Sequence, residues 1–444
     1  MVVSNSVGSV TSMVANLTVL NNSAALAPLW SVGPSAGQPW MNLSAATGVP
    51  NQRTLAYNAL SNHLYVISRS SNTTSNYVVH VLNATNGSLL HTLKTNGIQC
   101  NVGKGGIGLC GIALANDGAI YACNEAPDAA GSAGADPTSL FRVYRWANGD
   151  SSTAPTQVFS GDPTGGTAAM RWGDNLFARG SGTNTQLLLD MTYFGATAGT
   201  NGFAAILSPA NAFMTNFTAR WFTTTNFVTT VGRSVEFDPA NNAIWQKTPG
   251  GALLKTTYDP AVSLGGTRIA SAAVLVATNF PASLLGVGLD VLRNLAAGVF
   301  SNSTSTADSV NLYDLSDLSA PALLGQYDFP TNPRNANGNR ICQTFFKNDL
   351  VFALDANNGI AVFRVLASPP ANTIRLFNFA RAGNGGFQFA YTNTGAQSYR
   401  VFASSNLLDW AAIGAATQSS PGRFEFGDGS AANAARRFYQ LRAP

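Results

Sequence analysis

Charge is scarce in this chain: Asp, Glu, Lys and Arg make up only 10% of its 444 residues, and there are just three His. The three Glu, at Glu125, Glu236 and Glu425, leave few ways to assemble the paired carboxylates of glycoside hydrolysis. The four Cys fall in no CxxC or Cys/His spacing, so neither a metal site nor a cofactor is expected. The longest apolar run, Ile269 to Ala277, is far short of a bilayer crossing, which argues against a membrane span. The net charge of +4 sits in the tail, where Ala371 to Pro444 holds seven Arg against three acids. The rest of the chain is balanced and has no linear Lys/Arg run, so no nucleic-acid partner is expected.

What is abundant is Gly, Ser, Thr, Asn and Ala, the composition of a turn-rich, secreted or cell-surface β protein. Cys100 and Cys110 flank the loop NVGKGGIGL, where they could meet in a disulfide or remain thiols. Cys123 and Cys342 lie in apolar strand contexts and read as small buried side chains.

A repeat organises the middle of the chain. Each unit has an apolar strand, a short polar turn and a second strand ending on a polar or charged residue. The units run Arg53 to Arg69, Cys110 to Glu125, Thr167 to Arg179, Arg233 to Lys247, Gly286 to Ser301 and Arg340 to Asp355. Second strands end 54 to 68 residues apart, and alternating outer strands follow in most units, as at Tyr77 to Leu93 and Val310 to Phe329. The expected fold is therefore all-β: a six-bladed β-propeller over residues 23–368, with a seventh blade as the alternative. Ala27 to Val32 is the candidate for the closing outer strand of the last blade.

Two flanking stretches resemble known modules. Val2 to Val19 resembles the last two strands of a bacterial immunoglobulin-like repeat, so residues 1–22 are expected to be the remnant of such a domain at the end of a longer secreted polypeptide. Within the repeat, Asp314 to Pro321 looks like the D-x-S-x-x-x-x-P element of secreted bacterial propellers. In the tail, Tyr399, Val401, Ala403, Ser404, Leu407 and Trp410, followed by Arg437, Phe438, Tyr439 and Leu441, resemble the small sandwich modules that end many secreted proteins of Verrucomicrobia and Planctomycetes. That resemblance implies a C-terminal β-sandwich over 371–444 with a sorting role, and no activity.

In a propeller, the first strand's start and the second strand's end lie on one face, because the two strands are antiparallel neighbours. The ring of positions at that channel mouth is then Arg53, Arg233 and Arg340 from strand starts, with Arg69, Glu125, Arg179, Lys247, Ser301 and Asp355 from strand ends. Most are basic, which suits a carboxylate or sulfate held by Arg. The competing reading pairs Arg69, Glu125, Arg179 and Asp355 into an inert salt-bridge ring. Trp172, Trp245, Tyr57 and Tyr121 are candidates to stack on sugar faces, against the commoner role of aromatics as core. Glu236 and Asp238 share a strand face and form a weak acid/base pair, with a solvated edge and turn as the plainer account. The loop around Lys104 resembles a phosphate cradle only loosely.

The function expected from these readings is recognition of an extracellular polysaccharide or cell-surface glycan, acidic in character, by a monomer at the basic mouth. A polysaccharide lyase or hydrolase on the same scaffold, and a structural surface protein, are the alternatives. The sequence leaves open whether the protein is an enzyme.

Overall fold

The computed structural model describes residues 2–5, 8–11, 26–34, 37–41, 52–69, 77–99, 107–126, 129, 140–166, 171–192, 202–224, 234–239, 241–247, 251–277, 279–301, 307–329, 341–366, 375–392, 399–406, 410–420 and 422–442. The chain divides into two compact units, Asn21–Leu366 and the pair Met1–Leu20 with Ala367–Pro444.

Among the described residues, the larger unit holds six four-stranded antiparallel sheets. Sheet 1 is Gln52–Asn58, His63–Arg69, Tyr77–Asn83 and Leu89–Thr92. Sheet 2 is Ile107–Leu114, Ile120–Glu125, Arg142–Trp146 and Thr156–Ser160. Sheet 3 is Arg171–Arg179, Gln186–Thr192, Gly202–Pro209 and Phe217–Thr224. Sheet 4 is Ser234–Phe237, Ala243–Lys247, Leu253–Ser263 and Ile269–Ala277. Sheet 5 is Leu284–Asp290, Leu295–Phe300, Ser309–Asp314 and Ala322–Asp328. Sheet 6 is Cys342–Lys347, Leu350–Asp355, Gly359–Val365 and, from far earlier in the chain, Leu26–Val32.

Local chemistry explains the hairpins. Asn62, Asn294 and Asn348, in the turns joining the first two strands of sheets 1, 5 and 6, all have φ between 54° and 56°. Asn tolerates that left-handed conformation better than other side chains. The first strand of each sheet neighbours that of the next, and sheet 6 returns to sheet 1, so the six close a ring, the β-propeller architecture.

Six hydrophobic clusters fill the six gaps between sheets, because alternate side chains of each strand point to opposite faces and both faces are buried. Ring closure depends on Leu26–Val32, which pairs antiparallel with Gly359–Val365 and is pinned where the Trp30 indole donates to the Ala84 carbonyl at 2.8 Å. Gly359, at φ 127°, permits this seam, since a Cβ there would stand 2.1 Å from the Val32 carbonyl oxygen.

In the smaller unit, one sheet is Arg375–Arg381, Phe387–Thr392, Arg423–Asp428 and Thr417–Ser420, and a second is Ala411–Ala415, Arg400–Ser404 and Phe438–Arg442. Tyr391, Tyr399, Val401 and Phe424 form their common core, a small β-sandwich. The closing residues of the tail motif have a physical role: Arg437 (2.6 Å) and Tyr439 (3.0 Å) both reach the Asp428 carboxylate. Burial works to raise that carboxyl, but hydrogen bonds from Ser430 and Tyr439, and the Arg437 charge, hold it below its ordinary pKa. Val2–Asn5 and Gly8–Thr11 pair as a two-stranded hairpin. Among the described residues, no helix is long and apolar enough to cross a membrane.

Candidate functional site at the channel mouth

Strand register defines the mouth. Gln52 lies opposite Ser68, Ile107 opposite Glu125, Arg171 opposite Thr192, Ser234 opposite Lys247, Leu284 opposite Phe300, and Cys342 opposite Asp355. Arg53, Glu125, Lys247, Ser301 and Asp355 therefore belong to one face.

Arg179 does not. The sequence at Gly173–Asp174 suggests a turn between two strands, but Gly173 adopts φ 99° within a bulge and a single strand runs on from Arg171 to Arg179. Arg179 therefore ends a first strand at the opposite side of the ring, paired in register with Gln186. There it clamps sheet 3 to sheet 4, donating to Gln186 Oε1 at 2.8 Å, Tyr258 Oη at 2.8 Å and the Asp238 carbonyl at 3.2 Å, and stacking over Phe237. Arg171 takes the mouth position instead. Its signal was present, as an Arg opening a first strand in the manner of Arg53, but the supposed turn concealed it.

On one side of the mouth four described residues form an ion network, two of them buried. Glu125 Oε2 lies 3.4 Å from Arg53 Nη2 and 3.2 Å from Arg171 Nη2, and Arg171 is held in turn by Asp174 through Nε at 2.9 Å and through Nη2. The side chains of Arg53 and Glu125 are each only 3% exposed, and that of Arg171 is 17% exposed. Burial opposes the charge of both guanidiniums. Cys110 and Glu125 around Arg53, and Asp174 and Glu125 around Arg171, outweigh it and raise both pKa values. Arg53 Nη2 also reaches Cys110 Sγ at 3.2 Å. Cys110 is thus a free, buried thiol and not half of the disulfide considered from the sequence; Cys100 lies outside the described residues. Among the described residues, Arg53 Nε and Nη1 have no hydrogen-bond partner.

Across the ring the solution is different. Asp355 is buried, and its carboxyl is raised well above the ordinary value by burial first and by Asp308 beside it. The Asn358 amide donates to Asp308 Oδ2 at 3.3 Å and to Asp355 Oδ2. Lys247 is 5% exposed, and burial lowers its ammonium to about 8, with Cys342 opposing the shift.

The other candidates fall away from the mouth or out of contact with solvent. Trp172 is fully enclosed between sheets 2 and 3, where its backbone bridges Ala126, so it serves as core and presents no stacking face. Tyr121 and Trp245 are buried, and Tyr57 stacks on Phe352 with centroids 4.6 Å apart. Glu236 and Asp238 part company: Glu236 accepts from the Leu289 amide at 2.8 Å, while Asp238 is taken up by Trp245 Nε1, Asn241 and Lys255. The first bond caps the unpaired edge of a neighbouring first strand, a task Gln343 also performs on Leu55 and Thr344 on Gly288. Burial raises Glu236 to about 8. Arg233, Arg340 and Lys104 lie outside the described residues; Arg69 closes its strand opposite Tyr77, and its side chain lies outside them too. Among the described residues no His/Cys/Asp/Glu group suits a metal ion.

No protein-family model and no curated protein matches the chain. Solved propellers do resemble it. The PQQ-bound aldose sugar dehydrogenase from Streptomyces coelicolor is 15% identical, covering 72% of this chain and 96% of its own, with a TM-score of 0.39. The β-propeller domain of Myceliophteria thermophila Cps50 (Swd1) is 7% identical, covering 71% and 97%, with a TM-score of 0.35. YCF48 from Cyanidioschyzon merolae is 11% identical, covering 72% and 97%, with a TM-score of 0.32. At these values no ligand or activity passes from those proteins to this one.

Proposed function

We propose that the protein is a secreted or cell-surface recognition propeller that binds an extracellular acidic glycan at the channel mouth, as a monomer. The observation that carries this reading is the Arg53–Glu125–Arg171 arrangement, in which two guanidiniums share one carboxylate and one of them, Arg171, is partly exposed at the mouth. A carboxylate or sulfate oxygen is the acceptor that suits a guanidinium best. Arg171, the more exposed of the pair, is the point of first contact. Asp355, whose carboxyl burial pushes toward its protonated form, stands beside Asp308 as a further polar group on this face.

A second reading has a specific observation in its favour. A carboxyl held toward its protonated form, as Asp355 is, suits the general acid of glycoside cleavage, so a hydrolase is the rival. Incubation with acidic and neutral polysaccharides, scoring retained binding and new chain ends in the same samples, separates the two. Retention of uronate- or sulfate-bearing chains without new ends is the expected result. New ends that disappear in Asp355→Asn would make the hydrolase the better account. Neither outcome would leave a structural surface protein with an inert ion network.

A further inference from the structure

The sandwich module presents a second surface, unrelated in sequence and chemistry to the mouth. Its four-stranded sheet buries Phe389, Tyr391 and Phe424 on one face, so alternation sends Gln388, Ala390, Arg423, Glu425 and Gly427 to the other. Strand register then sets out two rows. Thr417, Glu425, Ala390 and Phe377 lie side by side across all four strands, and Gly427, Gln388 and Ala380 form the next row, with Asn378 in the bulge beside them.

The two small residues, Ala390 and Gly427, sit among larger ones, and the result is a concavity of about 350 Å³ whose lining includes Asn378, Gln388, Thr417 and Glu425 as well as Phe389 and Phe426. Nothing lies within 4 Å of where a Cβ on Gly427 would stand, so the floor there is open. The volume falls in the range of small-ligand sites.

Charge and hydrogen-bonding groups define what fits. Arg423 donates through Nε (3.1 Å) and Nη2 (2.9 Å) to the same oxygen, Glu425 Oε1, and its guanidinium lies 5.1 Å above the Phe377 ring. Arg423 thus offsets the Glu425 charge at the edge of the concavity. Asn378 and Gln388 each bring a donor and an acceptor, Thr417 brings a hydroxyl, and Glu425 Oε2 adds an acceptor that Arg423 does not use. A face combining two amides and a hydroxyl with a small apolar floor at Ala390 matches a pyranose, with hydroxyls at its rim and C–H groups across its ring.

We propose that this face of the terminal module binds a neutral oligosaccharide, independently of the acidic ligand at the propeller mouth. The test is isothermal titration of the full-length chain with cellohexaose, laminarihexaose, xylohexaose, mannohexaose and N-acetylchitohexaose. At least one should bind, and Gly427→Val, which fills the floor, should weaken it about tenfold or more. Gln388→Ala, on an exposed side chain with no part in the core, should weaken the same sugar by a similar factor, which guards against misfolding of the first variant. Arg171→Gln at the mouth should leave that affinity unchanged. Absence of binding by all five sugars, or binding that both module variants leave intact, would overturn the proposal. Loss of neutral-sugar binding in Arg171→Gln alone would do so too, by moving the ligand to the mouth.

Discussion

Sheets 1 to 3 and sheets 4 to 6 meet the same demand at the mouth in opposite ways. The repeat places polar side chains at the first-strand starts and second-strand ends of both halves, and the ring buries many of them. In the first half the charges are kept and paired, with Glu125 between Arg53 and Arg171 and Asp174 behind. In the second half burial works against the charge itself: Asp355 is pushed toward its protonated form and Lys247 toward its neutral one. Both are physical answers to the cost of an uncompensated buried charge. The difference teaches that a conserved geometry does not impose a conserved electrostatics, and that only the paired half depends on all its members at once.

Removing Glu125 should therefore have the largest effect. Glu125→Ala leaves two guanidiniums facing each other in a dry site and is expected to cost about 3–5 kcal/mol of stability, measured by urea unfolding; a loss under about 1 kcal/mol would mean the network is solvated. Lys247 gives the next. Its folded pKa of about 8 lies below the ordinary 10.5, so between those values the unfolded chain binds more protons and stability rises with pH. Lys247→Met should flatten that rise, on the order of 3 kcal/mol by the size of the shift, in melts from pH 7 to 11.

Asp355 carries the opposite sign. Its raised folded pKa means that its contribution is fully present below the ordinary carboxyl value and is lost as pH rises through the folded one. Asp355→Asn, which keeps the shape and removes the ionisation, should equal or exceed the parent in melting temperature at pH 8 and lose that advantage by pH 4. The smallest effect belongs to His80, buried beside Ser68 at 2.9 Å and lowered by burial to about 4. Stability should decline by about 2 kcal/mol as pH falls from 7 to 5, and His80→Gln should remove that decline in urea titrations at those two values.

The propeller was legible because its signals are local. Period-two alternation in Tyr77–Asn83 and Ser309–Asp314, and turns at Asn348 and Gly359, each carry their geometry in a few residues. The seam strand Leu26–Val32 was also visible, as an apolar stretch without a partner nearby in sequence. What the sequence concealed is conformational. Gly173 reads equally well as a turn or a bulge, and only the close approach of the Asn124 carbonyl, 1.9 Å from where a Cβ would sit, explains why Gly is needed there. That ambiguity moved Arg179 to the wrong face and hid Arg171. Trp172 was misread for a related reason: strand alternation gives a side chain's face, but not whether that face meets solvent or the next sheet.

Affinity electrophoresis of the parent and of Arg171→Gln through gels containing polygalacturonate, a sulfated galactan or a neutral glucan tests the central claim most directly. The account predicts retardation by at least one acidic polymer, little by the glucan, and at least a tenfold weaker effect on Arg171→Gln. Equal migration of both proteins in every gel, or retardation that Arg171→Gln leaves unchanged, would contradict it.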